Sequence, residues 1–237
     1  MIVVVGLAFE ARIAATSGRQ IICAGTGHQL EPALRQAAAI GCRGLISFGV
    51  AGGLRPDLTA GTCIVASAIV AGQSRIATDL RWSRKLLEAM PKAISGVLAG
   101  APAPVASADE KHALHAATAA DAVDTESHIV ARIAADHGLP MAAVRVVCDP
   151  AARSLPPLVI RSIRANGTTD IGALLRSIVR EPKHLRTIFR VALDARAARA
   201  TLVRSARLLG PETEAAGAGT LTDGTPEPVP TSLSPAG

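Results

Sequence analysis

Residues 122–150, AVDTESHIVARIAADHGLPMAAVRVVCDP, decide how the rest of the chain is read. The stretch opens with two acids, Asp124 and Glu126, and continues with Ile129, Val130, Ile133 and Ala134 at helical spacing. Gly138-Leu139-Pro140 stops that helix, through a glycine able to take the left-handed conformation and a proline that cannot continue the turn. Met141 to Cys148 follows as a short, nearly unbroken apolar run rich in valine, the pattern of a buried parallel strand. The strand ends on Asp149, and in open α/β sheets ligands sit at the carboxyl ends of strands. One unit thus places an acid ahead of a helix and a second acid at a strand's exit, where both can face one pocket.

Upstream, the same alternation repeats. Ile2 to Val5 reads as a strand ending in Gly6, with helical spacing beginning in Leu7-Ala-Phe-Glu10-Ala-Arg12-Ile13. Gln20 to Ala24 is a second strand, and Gly25-Thr26-Gly27 separates it from a helix beginning near Glu31 or Pro32 and stopping at Gly41. A glycine-rich turn at a helix N-terminus offers N–H groups to an anion, although a mere tight turn is the more ordinary reading of this one. Leu45 to Phe48 is a third strand and runs into Gly49-Val50-Ala51-Gly52-Gly53, where three glycines in five residues suggest backbone pressed against a ligand or another backbone. Thr62 to Val70 reads as a strand and Thr78 to Met90 as a helix. Pro- and Gly-rich Ala99 to Val105 leads to a helix holding Lys111, Leu114 and His115. Strands alternating with helices argue for an α/β fold with a mainly parallel sheet covered on both faces.

Past Pro150 the strand signal ends. Residues 174–209 hold nine Arg or Lys against Glu181 and Asp194, with an apolar stripe that includes Leu185, Ile188, Phe189, Leu202 and Leu209, the pattern of a basic amphipathic helix. Residues 211–237 carry four acids, no Lys or Arg, and abundant Gly, Pro, Ser and Thr, a composition expected to be disordered. The chain's net charge of +6 therefore understates how basic the first 210 residues are.

Composition narrows the function classes. At 237 residues one full core is expected. No run of about 18 uncharged apolar residues is present, so a membrane span is not expected. Nor does the start, MIVVVG, look like a secretory leader, and the expected address is the cytoplasm. Cys23, Cys42, Cys63 and Cys148 lack metal-ligand or disulfide spacing and read as buried thiols, with no metal site. With 2% aromatics and no Tyr, a nucleic-acid surface would have almost nothing on which to stack bases.

With the motifs placed, the chain resembles the superfamily of purine nucleoside phosphorylases and nucleosidases that includes methylthioadenosine nucleosidase. GLAFEARI, AGTGHQ, SFGVAGGLRPDLTAGTCIVAS, VASADEKHA and AVDTESHIVARIAADHGLPMAAVRVVCDPA carry the resemblance, in the family's order, over roughly residues 1 to 152. More narrowly it is similar to the hopanoid-associated phosphorylases, bacterial members with a basic helical C-terminal segment like 174–209. The implied fold is a three-layer α/β sandwich with a mainly parallel central sheet, nucleoside phosphorylase-like, plus a C-terminal helical extension. The implied organisation is a nucleoside-binding core at 1–155, a basic helical extension at 156–210 and a disordered tail at 211–237. The implied reaction is cleavage of the N-glycosidic bond of a 5′-substituted adenosine, adenosylhopane in that subgroup, releasing adenine. Two alternatives stay open: a methylthioadenosine or adenosylhomocysteine nucleosidase, and a non-catalytic protein whose basic helix binds membrane or nucleic acid.

The resemblance also implies roles for residues. Asp149, at the end of Val144-Arg-Val-Val-Cys-Asp, matches the family's general acid, which needs a raised pKa to hold its proton; the bland reading is a strand-end cap. Glu126 matches the glutamate that accepts hydrogen bonds from the ribose hydroxyls, against a plain helix-start acid. Beside it Thr125 replaces the usual Met and Asp124 a common Glu. Gly49, Ala51 and Gly52 are expected to form the floor under the reacting bond, with Phe48 either at the substrate or in the core. Glu10 is the candidate base for water or a neighbour of the nucleophile. Ser107 and Asp109 match the family's SGD, while Lys111 or its neighbour replaces the aromatic that stacks on adenine. No cofactor is implied, but inorganic phosphate is open as a co-substrate, with Arg12, Arg145, Gly25, Thr26 and Gly27 as its candidate ligands. Arg145 reads equally as a structural partner of Glu126, and Arg12 as a surface charge. The partner expected is a small nucleoside with an apolar 5′ group, not nucleic acid; a homodimer is open, as is peripheral membrane contact through 174–209 against packing of that helix on the core.

Overall fold

The computed structural model describes residues 1–23, 27–155 and 185–209. In chain order its elements are β1 Ile2–Val5, α1 Ala8–Ala14, β2 Gln20–Cys23, α2 Gly27–Ala39, β3 Leu45–Gly53, β4 Cys63–Ala71, β5 Ser74–Ala77, α3 Leu80–Ala89, β6 Ile94–Gly100, α4 Ala108–Thr118, β7 Ala122–Asp124, α5 Ser127–Asp136, β8 Met141–Asp149 and α6 Leu185–Leu208.

Local chemistry sets many of these limits. Asp79 caps α3 by accepting from the Trp82 N–H at 2.7 Å. Ser107 accepts from the Glu110 N–H while Glu110 accepts from the Ser107 N–H, a capping box that starts α4. At the end of α5, Gly138 takes a left-handed φ of 62° and the Leu139 N–H reaches back to the Ala134 carbonyl at 2.8 Å, as the Gly-Leu-Pro sequence requires.

Among the described residues eight strands form one mixed sheet, with five parallel pairings and three antiparallel ones. β1–β2, β1–β3, β3–β8, β4–β6 and β6–β7 run parallel. β3–β7, β4–β5 and β4–β8 run antiparallel. The pairings β3–β7–β6–β4–β8 return to β3 and close a ring, from which β1 and β2 extend on one side and β5 on the other. The antiparallel pairs have local causes. β4 and β5 are joined by a tight turn at Gly72, and such a turn can only connect antiparallel strands. Register shifts at Ala51/Gly52 in β3 and Ala66/Ala68 in β4 bend the long strands, so that different parts of each meet different neighbours.

Three strands, β5, β6 and β7, are absent from the sequence reading, and β3 continues as strand through Gly53 instead of ending at Phe48. Their four, seven and three residues are short, glycine-bearing or polar, so neither periodicity nor β-branching marks them. α2 starts at Gly27, earlier than Glu31, and holds Pro32 inside it as its sixth residue, at the loss of one backbone hydrogen bond.

Two core clusters cover the sheet. One gathers Leu30, Leu34, Leu45, Ala143, Val147, Val130 and Ile133. The other gathers Ile46, Phe48, Trp82, Leu86, Val144 and Val146 with Ala198, Leu202, Ala206 and Leu209 of the C-terminal segment. Those last four recur at helical spacing and are fully buried, and Arg19 Nε donates to the Leu209 carbonyl at 2.6 Å. The latter half of α6 is therefore a layer of the core. Its first half differs: Phe189 and Leu193 are 66% and 49% exposed. The expected helix over 174–184 and the tail at 211–237 lie outside the described residues. Leu202→Ala is expected to cost about 2–5 kcal/mol in urea denaturation, and Phe189→Ala to stay within about 0.5 kcal/mol; equal effects would contradict this division of α6.

Candidate active site

Side chains alternate faces along a strand, so β8 sorts its own residues. Ala143 and Val147 enter the first cluster, and Val144 and Val146 the second. Arg145 and Asp149 share the parity of Ala143 and Val147, and in the parallel register with β3 they lie opposite Gly49 and Gly52. Both therefore border the glycine-rich end of β3.

Arg145 is fully buried. Its Nη2 donates to Ser47 Oγ at 2.7 Å, Glu126 Oε2 at 3.2 Å and Asp124 Oδ1 at 3.3 Å. Nε donates to Ser127 Oγ at 3.3 Å and Nη1 to the Val50 carbonyl at 3.4 Å. Asp124 Oδ1 also accepts the N–H groups of Glu126 and Ser127, at 2.8 and 2.6 Å, and so fixes the start of α5. Asp124 Oδ2 lies 3.2 Å from Arg145 Nε, an ion-pair contact outside the N–H direction that leaves this oxygen without a hydrogen bond. Glu126 is held from the other side by the Thr125 hydroxyl, which donates to Oε1. Burial pushes the Glu126 pKa up, against the pull of Arg145.

Glu10, on α1, meets this group from across the sheet. Its Oε2 accepts from the Gly6 and Leu7 N–H groups at 3.1 and 2.8 Å, and Oε1 from the Val50 N–H at 2.7 Å. Burial raises its pKa from 4.5 to about 7, with Arg145 opposing and Glu126 adding to the rise. Two glycines make room: a Cβ at Gly49 would lie 2.4 Å from Glu10 Oε1 and 2.5 Å from Arg145 Nη1, and one at Gly6 would lie 2.4 Å from Glu126 Oε1.

Asp149 closes the other end of the glycine segment. A Cβ at Gly52 would stand 3.3 Å from its Oδ2 and 3.4 Å from Val123 Cγ1. Asp149 is nearly fully buried, and Lys111, wholly buried on α4, forms an ion pair with Oδ2. The Cys148 thiol donates to Oδ1 at 2.9 Å. Burial raises the Asp149 pKa, and the Lys111 ammonium is the largest influence pulling it back.

The structure thus brings together Glu10, Asp124, Thr125, Glu126, Arg145, Gly49 and, three residues along β3, Gly52 and Asp149. The buried side chain of Ala51 belongs to the first core cluster beneath this segment. Phe48 is not brought there: its ring is fully buried in the second cluster, because its parity is that of Ile46. Arg12 is exposed on α1, which turns Glu10 inward and Arg12 out. Ser107 uses its hydroxyl to cap α4. Gly25 and Thr26 lie outside the described residues, and Gly27 opens α2. Among the described residues no group of His, Cys, Asp and Glu is arranged to hold a metal ion.

Sequence reasoning passes over Ser47, Ser127 and the part played by Lys111. The first two show as polar residues within otherwise apolar periods. The third shows as a lysine three residues before Leu114, which packs against a third core cluster, so both fall on the inner side of α4.

Residues 12–180 match the family described as the Phosphorylase superfamily. No curated protein matches the chain. Among solved structures, the 5′-methylthioadenosine/S-adenosylhomocysteine nucleosidase of Helicobacter pylori is similar at 20% identity, over 76% of this chain and 97% of that one, with a TM-score of 0.57. The corresponding nucleosidase of Campylobacter jejuni is similar at 14% identity, over 87% and 97%, with a TM-score of 0.60. A futalosine hydrolase mutant of Helicobacter pylori is similar at 17% identity, over 86% and 96%, with a TM-score of 0.60. At these identities the likeness speaks for the fold.

A carboxyl group whose pKa is higher in the folded state binds protons that the unfolded chain has released, so its stabilisation is complete at low pH and is lost as pH rises. For Glu10 the window runs from 4.5 to about 7, and the raised pKa values of Glu126 and Asp149 act in the same direction. Stability to urea is expected to fall across that window, and Glu10→Gln to flatten the fall by up to about 3 kcal/mol. A variant profile parallel to the wild type would contradict the burial of Glu10.

Proposed function

The chain belongs to the phosphorylase superfamily, and from that premise we propose that it is a nucleosidase, cleaving the N-glycosidic bond of a 5′-substituted adenosine with water and releasing adenine. The observation that carries this reading is the pair of buried carboxyl groups, Glu10 and Asp149, bordering one glycine-rich strand end, with Glu126 held beside the first.

Breaking the bond sends its electron pair to the base and leaves positive charge on the ribose. Asp149 gives its proton to the departing purine, and burial is what lets a carboxyl keep that proton until it is needed. Glu126, oriented by Arg145 and Thr125, accepts hydrogen bonds from the ribose hydroxyls, and its charge favours the cationic sugar. Glu10 takes a proton from water as the water oxygen bonds to the anomeric carbon. Its pKa of about 7 leaves it partly ionised at neutral pH, as a general base requires.

Charge supports water over phosphate. Glu10, Asp124 and Glu126 surround a single guanidinium, and Arg145 spends its donors on Asp124, Glu126, Ser47, Ser127 and the Val50 carbonyl. Arg12, the other proposed phosphate ligand with a described side chain, faces solvent. A phosphate dianion placed beside Glu10 and Glu126 would meet repulsion, whereas water needs only the base.

For the 5′ group the reading is an apolar substituent, adenosylhopane in the subgroup that the chain resembles. Support comes from the basic C-terminal segment and from α6, whose exposed Phe189 and Leu193 lie one turn apart among the exposed Arg190 and Arg196. Such a face suits peripheral contact with an anionic bilayer, where a substrate of that kind resides. The described helices include none long and apolar enough to cross a membrane.

Purified protein is expected to release adenine from adenosylhopane at the same rate with and without phosphate. Turnover of methylthioadenosine in its place would move the assignment to the small-substrate nucleosidases, and a requirement for phosphate would overturn hydrolysis. Asp149→Asn and Glu10→Gln are each expected to lower kcat about 10²–10⁴-fold. Wild-type kcat should follow a bell-shaped pH profile, because Glu10 acts as the carboxylate and Asp149 as the acid, and Glu10→Gln should remove the bend that Glu10 sets at about 7.

A further inference from the structure

Among the described residues Lys111 is the only lysine that is buried, and it is completely so. α4 carries its ammonium to the end of β8, where it meets four oxygens. One is Asp149 Oδ2; the others are the carbonyls of Asp149 and Pro150, both at 3.2 Å, and of Arg153 at 2.9 Å. An ammonium has three hydrogens to give, and desolvating it is tolerable only where such pairing is complete. The three carbonyls alone would satisfy those hydrogens and fasten the 149–153 loop. The carboxylate is an additional partner, and it is the one group there that can change charge.

Resting on the reading of Asp149 as proton donor, we propose that Lys111 is a positioning residue for the reaction. Its buried ammonium aims the Asp149 carboxyl at the Gly52 end of β3 and is the counter-charge that the carboxylate finds once its proton has left. The balance is simple. The Asp149 O–H bond breaks, the proton passes to the leaving purine nitrogen, the bonding pair stays on the carboxylate oxygen, and Lys111 keeps its three protons throughout. A neutral acid gains little from a neighbouring cation, whereas its anion gains much in a dry site, so the acid becomes stronger without admitting water.

The groups around the pair leave this task to Lys111. Asp149 faces Gly52 of β3, which carries no charge, and accepts from the Cys148 thiol of its own strand. Asp194 of α6 is negative and opposes ionisation of Asp149. Arg153 is turned to that acid, donating from Nε to Asp194 Oδ2 at 2.8 Å. Burial holds the Asp149 pKa up, and Lys111 leads the influences that lower it.

The test reads the pH profile of kcat for adenine release, together with a carbon-13 titration of the Asp149 carboxyl assigned through Asp149→Asn. In Lys111→Met, the limb of kcat that Asp149 sets and the carboxyl midpoint should both move up by about one pH unit or more, and plateau kcat should drop at least about tenfold. Lys111→Gln, which keeps a donor for the carbonyls without the charge, should shift both values the same way and serves if the Met variant does not fold. Lys111→Arg, which keeps the charge, should restore the wild-type limb. An active wild type whose limb and midpoint ignore loss of the Lys111 charge overturns this inference alone. A wild type that releases no adenine in any buffer overturns the reading of Asp149 as well, so the two failures are distinguishable.

Discussion

A guanidinium with no access to water organises this protein. Arg145 is fully buried, and each of its three nitrogens donates to an oxygen of Ser47, Val50, Asp124, Glu126 or Ser127. Removing such a charge from solvent costs several kcal/mol unless it is fully paired, so the elements that supply these oxygens are bound to one arrangement. β3 must bring Ser47 and Val50, the end of β7 must bring Asp124, the start of α5 must bring Ser127, and Glu126 must turn inward. The glycines follow from the same demand: at Gly49 a side chain would occupy the space of Arg145 and Glu10, and at Gly6 that of Glu126. A motif that reads in the sequence as a glycine run is, in space, the clearance around a buried ion cluster.

Much of this was legible in the residues. The acid-helix-strand-acid unit appears where its spacing places it, from Asp124 through α5 to Asp149, and Gly138 takes the positive φ that its neighbour Pro140 suggests. What escaped was non-local. β7 has three residues and exists because β3 and β6 are there to pair with it. The antiparallel meeting of β4 and β8 depends on ring closure, which no local period reports. The two readings of Arg145 illustrate the same limit: its sequence position suits a nucleophile's site and a structural pair equally, and only its partners favour the second. Lys111 was visible as a charge on the inner side of a helix, but its meaning depends on a strand end 38 residues away.

The two ends of the glycine segment differ in how they handle charge. Around Glu10 the carboxylates outnumber the cation, so burial and mutual repulsion push the Glu10 pKa to about 7. Around Asp149 one carboxyl meets one ammonium, and burial is partly offset. Two acids of similar intrinsic strength are thereby placed in unlike surroundings at the two ends of one glycine segment. α6 takes part in this division. Its buried half belongs to the core, and through Asp194 and Arg153 it reaches the loop that follows Asp149.

Ring closure bears on self-association as well. Strands inside the ring have both sides occupied, so among the described residues only β2 and β5 offer a free row of backbone donors and acceptors to another chain. β5 is short and carries the exposed Arg75, which discourages stacking of a second strand. β2 is equally short but reads Gln-Ile-Ile-Cys without a charge of its own. If partially opened molecules aggregate through strand addition, that narrow border is where the first misplaced hydrogen bonds would form.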